Sequence, residues 1–195
     1  GRWQDPAGDR VSLLDATTAQ AVAEIGTAPI DLAPVIDHAR SVGGPALLAM
    51  TFHERALALK QLALHLNGRR DEFYALSTLT GATRRDSMVD IDGGIGVLFT
   101  YGSKGRRELP NTTVLLDGPT EKLGKAGHFV GQHLYTARRG MALQINAFNF
   151  PVWGMLEKLG PAFLAGVPTV VKPASQTSYL TQAVVAEIIA SGLLP

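Results

Sequence analysis

The sequence predicts an α/β protein that begins with helices and ends with the start of a parallel sheet. Between residues 51 and 99, apolar residues recur at the spacing of amphipathic helices. Turn residues and short extended runs follow residue 104. Residues 156–191 then give a helix, a short apolar strand and a helix, which is the order expected in a parallel α/β sheet.

The composition is that of a globular protein without a strong charge bias. Of 195 residues, 46% are hydrophobic and 18% are charged, and 18 Lys and Arg balance 17 Asp and Glu. This balance argues against nucleic acid or an anionic membrane as the main partner. No run approaches the roughly 20 apolar residues of a membrane helix, and the opening GRWQDPAGDR lacks the apolar centre of a signal peptide. We therefore expect a cytoplasmic protein that partners neither membrane nor nucleic acid.

Cysteine is absent from the sequence. Its absence excludes disulfides, thiolate metal sites and a cysteine nucleophile within these residues. The five histidines show no metal-ligand spacing with carboxylates, so we predict no metal site. Four scattered Arg pairs indicate solvated faces or interface contacts rather than a single anion site.

The first fifty residues give weak signals for secondary structure. Residues 1–30 predict a short strand or helix. Asp31 can cap a helix through residue 40, and the sequence GGP at residues 43–45 predicts its end.

Clearer helices follow. Thr51 and Glu54 have the spacing of a capping box, and the apolar stripe after them ends before Gly68. Another helix is predicted over residues 71–78.

A third helix begins near Asp86, with Met88, Ile91, Ile95, Leu98 and Phe99 on one side. It contains Gly93 and Gly94. Each interior Gly destabilises a helix by about 1 kcal/mol relative to Ala, so the pair predicts close packing against another backbone.

Extended runs dominate the region after this helix. Residues 128–136 and 141–147 are strand-like, and Arg139-Gly140 between them predicts a hairpin. A helix over residues 156–165, a buried strand at 169–171 and a helix over 178–191, stopped by Gly192, complete the prediction.

The stretch INAFNFPVWG, residues 145–154, places two carboxamides among apolar residues. A buried carboxamide is unfavourable unless its polar groups are paired. Asn146 and Asn149 could therefore serve a turn before Pro151. Alternatively, Asn149 directs its amide N–H into a cleft and stabilises an oxyanion.

The stretch TVVKPASQTS, residues 169–178, places a lysine between a strand and a helix. This carboxyl edge is where open α/β sheets bind nucleotides. Lys172 could bond the ribose or phosphate of a dinucleotide, with Ser175 near the ribose. The alternative is a solvated lysine and a helix cap from Ser175, Thr177 or Ser178. The sequence has no GxGxxG fingerprint at this point.

Taken together, INAFNFPVWGMLEKLGPAFLAGVPTVVKPASQT resembles the aldehyde dehydrogenase superfamily. Within it, MTFHERA and FYALSTLTGATRRDSMVDIDGGIGVLFTY resemble the dehydrogenase part of bifunctional phenylacetate-degradation enzymes. The semialdehyde dehydrogenases of benzoyl-CoA degradation are similar too. The resemblance runs from about residue 3 to residue 195.

The resemblance implies roles for individual residues. Asn149 matches the asparagine whose amide, with a backbone N–H, polarises the aldehyde carbonyl. Asn146 is expected to serve the turn. Lys172 matches the lysine that bonds the adenosine ribose. Cofactor contacts are thus expected from two segments: Ile145, Asn146, Ala147 and Phe148 on the nicotinamide side, and Lys172, Pro173, Ala174 and Ser175 on the ribose side.

The cofactor predicted at this site is NADP. Many NAD-preferring relatives carry a glutamate at the position of Ser175, where it accepts from the ribose 2′-hydroxyl and would repel a 2′-phosphate. Serine removes that repulsion and can donate a hydrogen bond. Lys172 would supply positive charge to the phosphate.

The resemblance also implies what the chain lacks. The family's cysteine and general-base glutamate lie C-terminal to the matching region, so we expect an inactive fragment of a longer enzyme. The parent would oxidise a CoA-linked semialdehyde and form a homo-oligomer, and it could carry an oxepin-CoA ring-opening hydratase. If the chain truly ended at Pro195, a non-enzymatic nucleotide-binding or assembly module would be the alternative.

The predicted fold is therefore the N-terminal part of an aldehyde dehydrogenase, with an incomplete Rossmann-like parallel sheet. Residues 1–127 are expected to form the helical part of the cofactor-binding domain. Residues 128–147 would form an oligomerisation hairpin and a strand into the cofactor site. Residues 148–195 would begin the Rossmann-like sheet, and no catalytic or hydratase domain is present in these residues.

Overall fold

The computed structural model describes residues 3–195, and it confirms the α/β class. The helices are Ala33–His38 (α1), Gly44–Ala49 (α2), Phe52–Thr78 (α3), Arg84–Glu108 (α4), Pro151–Leu164 (α5) and Ser178–Ser191 (α6). The strands are Arg10–Leu14 (β1), Ala21–Gly26 (β2), Leu115–Lys122 (β3), Val130–Tyr135 (β4), Ala142–Ile145 (β5) and Thr169–Lys172 (β6). A π-helical segment, Ala39–Gly43, joins α1 to α2, and a 3₁₀ turn, Ser175–Thr177, precedes α6.

The core lies between α3, α4, α5 and α6. Each helix contributes an apolar stripe to it, and the fully buried side chains include Leu59, Leu62, Leu66, Ile91, Leu98, Met155, Leu156, Leu180 and Val184. Burying such side chains is the main favourable contribution to folding, roughly 1.5–3 kcal/mol for each. The helices thereby form a fixed base for the short parallel sheet.

Capping boxes begin both long helices. The Thr51 hydroxyl accepts from the Glu54 amide, and the Glu54 carboxylate accepts from the Thr51 amide at 2.7 Å. This confirms the predicted start of α3. Thr83 and Asp86 form the same arrangement at the start of α4. Each box satisfies amides that a helix terminus would otherwise leave unpaired.

Two predicted helix ends are wrong. Gly68 lies inside α3, which continues to Thr78 and so absorbs the separate helix predicted over residues 71–78. The destabilisation by one interior Gly, about 1 kcal/mol, is outweighed by the burial of Leu66 and Phe73 on either side of it. The GGP sequence does not end the first helical region either. Pro45 lies in the first turn of α2, where its missing N–H leaves no hydrogen bond unmade.

The predicted close packing at Gly93 and Gly94 is confirmed. A Cβ on Gly93 would lie 2.5 Å from the Trp153 ring. A Cβ on Gly94 would lie 3.0 Å from the Trp153 Cα. The backbone of α5 therefore approaches α4 at a distance that only glycine permits.

The predicted hairpin at Arg139-Gly140 is wrong. The strand β4 pairs antiparallel with the preceding strand, β3. The strand β5 pairs in parallel with β6, after the crossover through α5. A parallel pair needs such a crossover, so the partner of β5 comes later in the chain. Near the N-terminus, β1 and β2 form another antiparallel pair.

The last elements largely follow the prediction. The helix α6 ends at Gly192, which adopts a left-handed conformation with φ of 60°. Its residues Leu180, Val184 and Ile188 are buried. The helix α5 begins at Pro151, five residues before the predicted start. The strand β6 is half-buried rather than buried, because it has one neighbouring strand among the described residues.

Candidate functional site

The carboxyl ends of β5 and β6 bring the two predicted cofactor segments together. Ile145 is the register partner of Lys172. The Asn146 amide donates to the Lys172 carbonyl at 3.1 Å. Because both strands run in the same direction, residues 145–149 and 172–175 leave the sheet at one edge. Ligands of open α/β sheets bind at such an edge.

Several side chains at this edge are exposed. Ile145 and Phe148 expose 69% and 62% of their surface. Asn149, Lys172 and Ser175 are exposed as well. The edge thus combines apolar surface with one cation, one hydroxyl and one carboxamide. The apolar surface can contact flat rings, the cation and the hydroxyl can bind phosphate, and the carboxamide can donate to a polar oxygen.

Asn149 lies between two fixed points of the backbone. Before it, the Phe148 carbonyl accepts from the Thr177 hydroxyl at 3.2 Å. After it, the Phe150 carbonyl accepts from the Gly154 amide at 2.9 Å, in the first turn of α5. The N-cap of α5 is Phe150, so Asn149 does not cap this helix.

Asp90 fixes the start of α5, and the sequence reasoning missed it. One of its carboxylate oxygens accepts from the Val152 and Trp153 amides at 3.1 and 2.7 Å. Phe150 offers no capping side chain, so a carboxylate from α4 takes that part. Burial raises the pKa of Asp90 to about 6, although the hydrogen bonds from the Trp153 and Val152 amides act in the opposite direction.

A signal for Asp90 was present in the sequence. Asp90 follows Ser87 by three residues and precedes Gly94 by four, and both of these are buried. A carboxylate on a buried helix face needs a partner. Because Gly93 and Gly94 already predicted a neighbouring backbone, the amides of that backbone were the natural candidates.

Asn146 is buried, and its carboxamide has no hydrogen-bond partner among residues 3–195. Gln144, two residues earlier on the same face of β5, is also buried and unpaired within this part of the chain. Asn146 is hydrogen-bonded to β6 through its own backbone amide and not through its side chain.

None of the three candidate caps serves α6. Thr177 occupies the N-cap position, but its hydroxyl donates to Phe148. The Ser178 hydroxyl donates back to the Ser175 carbonyl at 2.9 Å. Ser175 begins the 3₁₀ turn with its side chain exposed.

A cavity of about 520 Å³ opens beside β6 and is lined by Pro173, Thr169, Val171 and Tyr179, among others. Of the predicted cofactor residues, Pro173 alone lines it. Most of the others, Ile145, Ala147, Phe148, Lys172 and Ser175, are exposed, whereas Ala174 is half-buried and Asn146 is buried.

Among residues 3–195, no three His, Asp or Glu side chains are grouped so that they could hold a metal ion. No described helix is both long enough and apolar enough to cross a membrane.

The sequence model of the aldehyde dehydrogenase family matches residues 3–195. A 3,4-dehydroadipyl-CoA semialdehyde dehydrogenase of Aromatoleum evansii is 40% identical over 196 residues, which cover all of this chain and 38% of that protein.

Solved structures give the same fold. An NADP-dependent enzyme of E. coli superposes with a TM-score of 0.76 at 23% identity, over 100% of this chain and 39% of that one. Aldehyde dehydrogenase 21 of Physcomitrella patens, solved with the reaction product succinate, superposes with a TM-score of 0.73 at 20% identity, over 98% and 39%. The chain thus spans about two fifths of the length of these relatives.

Proposed function

Because the chain belongs to the aldehyde dehydrogenase family, we propose that the whole protein uses NADP to oxidise a CoA-linked semialdehyde to its carboxylic acid. The observation that carries the proposal is the shared carboxyl edge of β5 and β6. That edge presents Asn149, Lys172 and Ser175 together. The relative from Aromatoleum evansii supports the substrate class, because its substrate is a semialdehyde joined to CoA.

The side chains at the sheet edge fit a phosphorylated dinucleotide. Lys172 supplies an ammonium group and Ser175 a hydroxyl, and both are exposed. No Asp or Glu occurs in residues 169–178 to repel a 2′-phosphate. Ile145 and Phe148 offer apolar surface to the nicotinamide side. When bound, NADP accepts the hydride that leaves the aldehyde carbon.

Asn149 would act on the substrate oxygen. Its carboxamide N–H donates to the carbonyl oxygen as negative charge develops there, which stabilises the transition state more than the ground state. The anchors at Phe148 and at the start of α5 limit the movement of its backbone. The family's thiol nucleophile would come from outside these cysteine-free residues.

For the pathway, we propose breakdown of aromatic compounds through CoA thioesters. Phenylacetate degradation, with a ring-opening hydratase on the same parent protein, is the first candidate. A semialdehyde dehydrogenase of benzoyl-CoA degradation is the second. The similarity to a 3,4-dehydroadipyl-CoA semialdehyde dehydrogenase supports the CoA-linked substrate that both candidates share.

The hairpin of β3 and β4 supports a homo-oligomer, a dimer or a larger assembly. Its main contacts are between its own two strands. Its exposed apolar side chains are Leu116, Leu123, Phe129, Val130, Leu134 and Tyr135. Exposed apolar surface of this kind is typical of interaction sites. We place the oligomerisation element here rather than at residues 128–147, since β5 belongs to the parallel sheet.

The test is an activity assay of the full-length protein. An unsaturated dicarboxylic semialdehyde joined to CoA is supplied with NADP, and reduced cofactor is followed by absorbance. The same aldehyde without CoA, and NAD in place of NADP, are the comparisons. We expect the highest kcat/KM with the CoA-linked aldehyde and NADP. Absence of aldehyde-dependent cofactor reduction would remove the proposed activity, and an equal rate without CoA would remove the proposed substrate class.

A further inference from the structure

A buried carboxylate from another helix holds the backbone that follows Asn149. Asp90 exposes only 3% of its surface. Its oxygens accept from Val152, at 3.1 and 3.3 Å, and from Trp153, at 2.7 Å. These two amides belong to the first turn of α5, two and three residues beyond the end of the Asn149-Phe150 pair.

The environment of Asp90 indicates a specific function rather than general packing. Within residues 3–195, no Lys, Arg or His nitrogen lies within 4 Å of its carboxylate. A buried carboxylate without a cation is unfavourable unless hydrogen bonds compensate. The partners here are amides at the positive end of a helix, which favour a negative charge. An apolar side chain would serve packing alone better than a carboxylate does. The presence of Asp90 at this position therefore indicates that its hydrogen bonds to α5 matter.

The connection from Asp90 to Asn149 is short and stiff. Pro151 has its φ fixed by its ring, and it links Phe150 to the held amides of Val152 and Trp153. On the other side, Thr177 holds the Phe148 carbonyl. Asn149 is the exposed residue between these two anchors.

We propose that Asp90 is a positioning residue for Asn149, which it holds in place through the first turn of α5. This inference rests on the proposed function, in which the Asn149 amide donates to the substrate oxygen. Such a donor must lie about 2.7–3.1 Å from the developing charge. A displacement of about 1 Å can lower the rate by about 100-fold. Removal of the Asp90 carboxylate therefore acts on the rate through Asn149.

The experiment is a double-mutant cycle on the full-length enzyme. The variants are Asp90→Asn, Asp90→Ala, Asn149→Ala and the combinations of each Asp90 change with Asn149→Ala. Asp92→Asn is the matched control, because Asp92 lies on the same helix and accepts from the Tyr74 hydroxyl instead of from α5. Asp90→Asn keeps the side-chain shape and serves if Asp90→Ala fails to fold.

We expect the Asp90 variants to lower kcat by about 10-fold to 100-fold in the wild-type background. In the Asn149→Ala background, the same changes should alter kcat by less than about twofold, since residues that act as a unit are not additive. The KM for the cofactor should stay unchanged. A general loss of structure would raise it, because Lys172 and Ser175 leave the same sheet edge.

If the decreases in kcat caused by the Asp90 change and by Asn149→Ala multiplied fully in the double variant, the inference would be overturned, since Asp90 would then act independently of Asn149. A rise in cofactor KM with unchanged kcat would overturn it too. Failure of the proposed function has a different signature, in which the wild type oxidises no aldehyde or Asn149→Ala keeps full activity.

A second measurement is independent of activity. Amide hydrogen exchange at Val152 and Trp153 should be faster in Asp90→Ala, which removes both acceptor oxygens, than in Asp92→Ala at the same pH. Equal exchange in the two variants would show that the carboxylate does not hold the start of α5, and it would overturn the inference whatever the enzyme's substrate.

Discussion

At the residue scale, the proposed preference for NADP over NAD depends on Ser175. Its exposed hydroxyl lies at the sheet edge that Lys172 shares. Ser175→Glu would place a carboxylate near the 2′-phosphate, and the repulsion should lower the ratio of kcat/KM for NADP to that for NAD by about tenfold or more. Steady-state kinetics of the full-length enzyme with both cofactors measure the ratio.

Gln176→Glu is the matched control for Ser175→Glu, since Gln176 is exposed in the same 3₁₀ turn. It adds the same charge one residue away and should change the ratio less. If Ser175→Glu left the ratio unchanged, the argument for NADP from this position would be lost.

Substitutions of Asn149 test its proposed function as an oxyanion donor. Asn149→Ala should lower kcat by about 10²–10³-fold, which is the loss typical of one oxyanion donor. Asn149→Asp keeps the shape but replaces the donor with an acceptor, so it should be impaired at least as strongly. Since Asn149 is exposed and does not cap α5, the melting temperature should hardly change. Lost stability with a preserved rate would support the turn interpretation instead.

Asp90 predicts a dependence of stability on pH. Burial raises the pKa of Asp90 from 3.8 to about 6. The folded state therefore holds this proton more tightly than the unfolded state between about pH 4 and pH 6. The contribution of Asp90 to stability is fully present below its unfolded pKa, and it is lost as the pH rises towards 6. At about 1.4 kcal/mol per pKa unit, the loss is at most about 3 kcal/mol.

Thermal unfolding of wild type and Asp90→Asn across this range measures the effect. The stability of wild type relative to the variant should fall from about pH 4 to pH 6 and stay level above it. Asp15, Glu54, Asp86 and Glu108 have lowered pKa values, which give the opposite slope. The comparison with the variant removes their shared contribution. A difference that rises with pH would show that the hydrogen bonds outweigh burial.

At the scale of elements, the contact between α4 and α5 depends on glycine. A Cβ at Gly94 would lie 3.0 Å from the Trp153 Cα, and backbone cannot move aside as a flexible side chain can. Gly94→Ala should therefore destabilise the protein by about 1–3 kcal/mol. Gly96 lies in the same helix with open space around its Cβ position. Gly96→Ala should stabilise by about 0.5–1 kcal/mol. Unfolding midpoints of the two variants test the contrast, and an equal shift in both would contradict it.

Elements set by local chemistry were predictable from the sequence. The capping box at Thr51 and the stop of α6 at Gly192 depend on residues within a few positions. The pair Gly93-Gly94 indicated by itself that a backbone packs there, although not that the partner is Trp153. The pairing of β5 was not predictable in the same way. Whether β5 pairs with β4 or with β6 depends on the crossover through α5, and the residues of the local turn do not indicate this crossover.

Within the site, the sequence located the edge residues but not what holds them. Lys172 and Asn149 follow recognisable strand and loop patterns. Asp90 is 62 residues away from Val152 along the chain, and its function depends on the packing of α4 against α5. A buried unpaired amide such as that of Asn146 likewise depends on neighbours that a sequence pattern does not specify.

At the scale of the whole molecule, the proposed homo-oligomer would use the hairpin of β3 and β4 as its interface. Val130 and Leu134 lie on one face of β4 and are exposed, whereas His133 lies on the opposite face. If the apolar face is an interface, Val130→Asp with Leu134→Asp buries two charges there, and the full-length enzyme should dissociate into monomers in sedimentation. His133→Asp adds charge to the other face and should leave the assembly intact. A wild-type enzyme that sediments as a folded monomer would contradict the interface, and an oligomer that survives both aspartates would place it elsewhere on the surface.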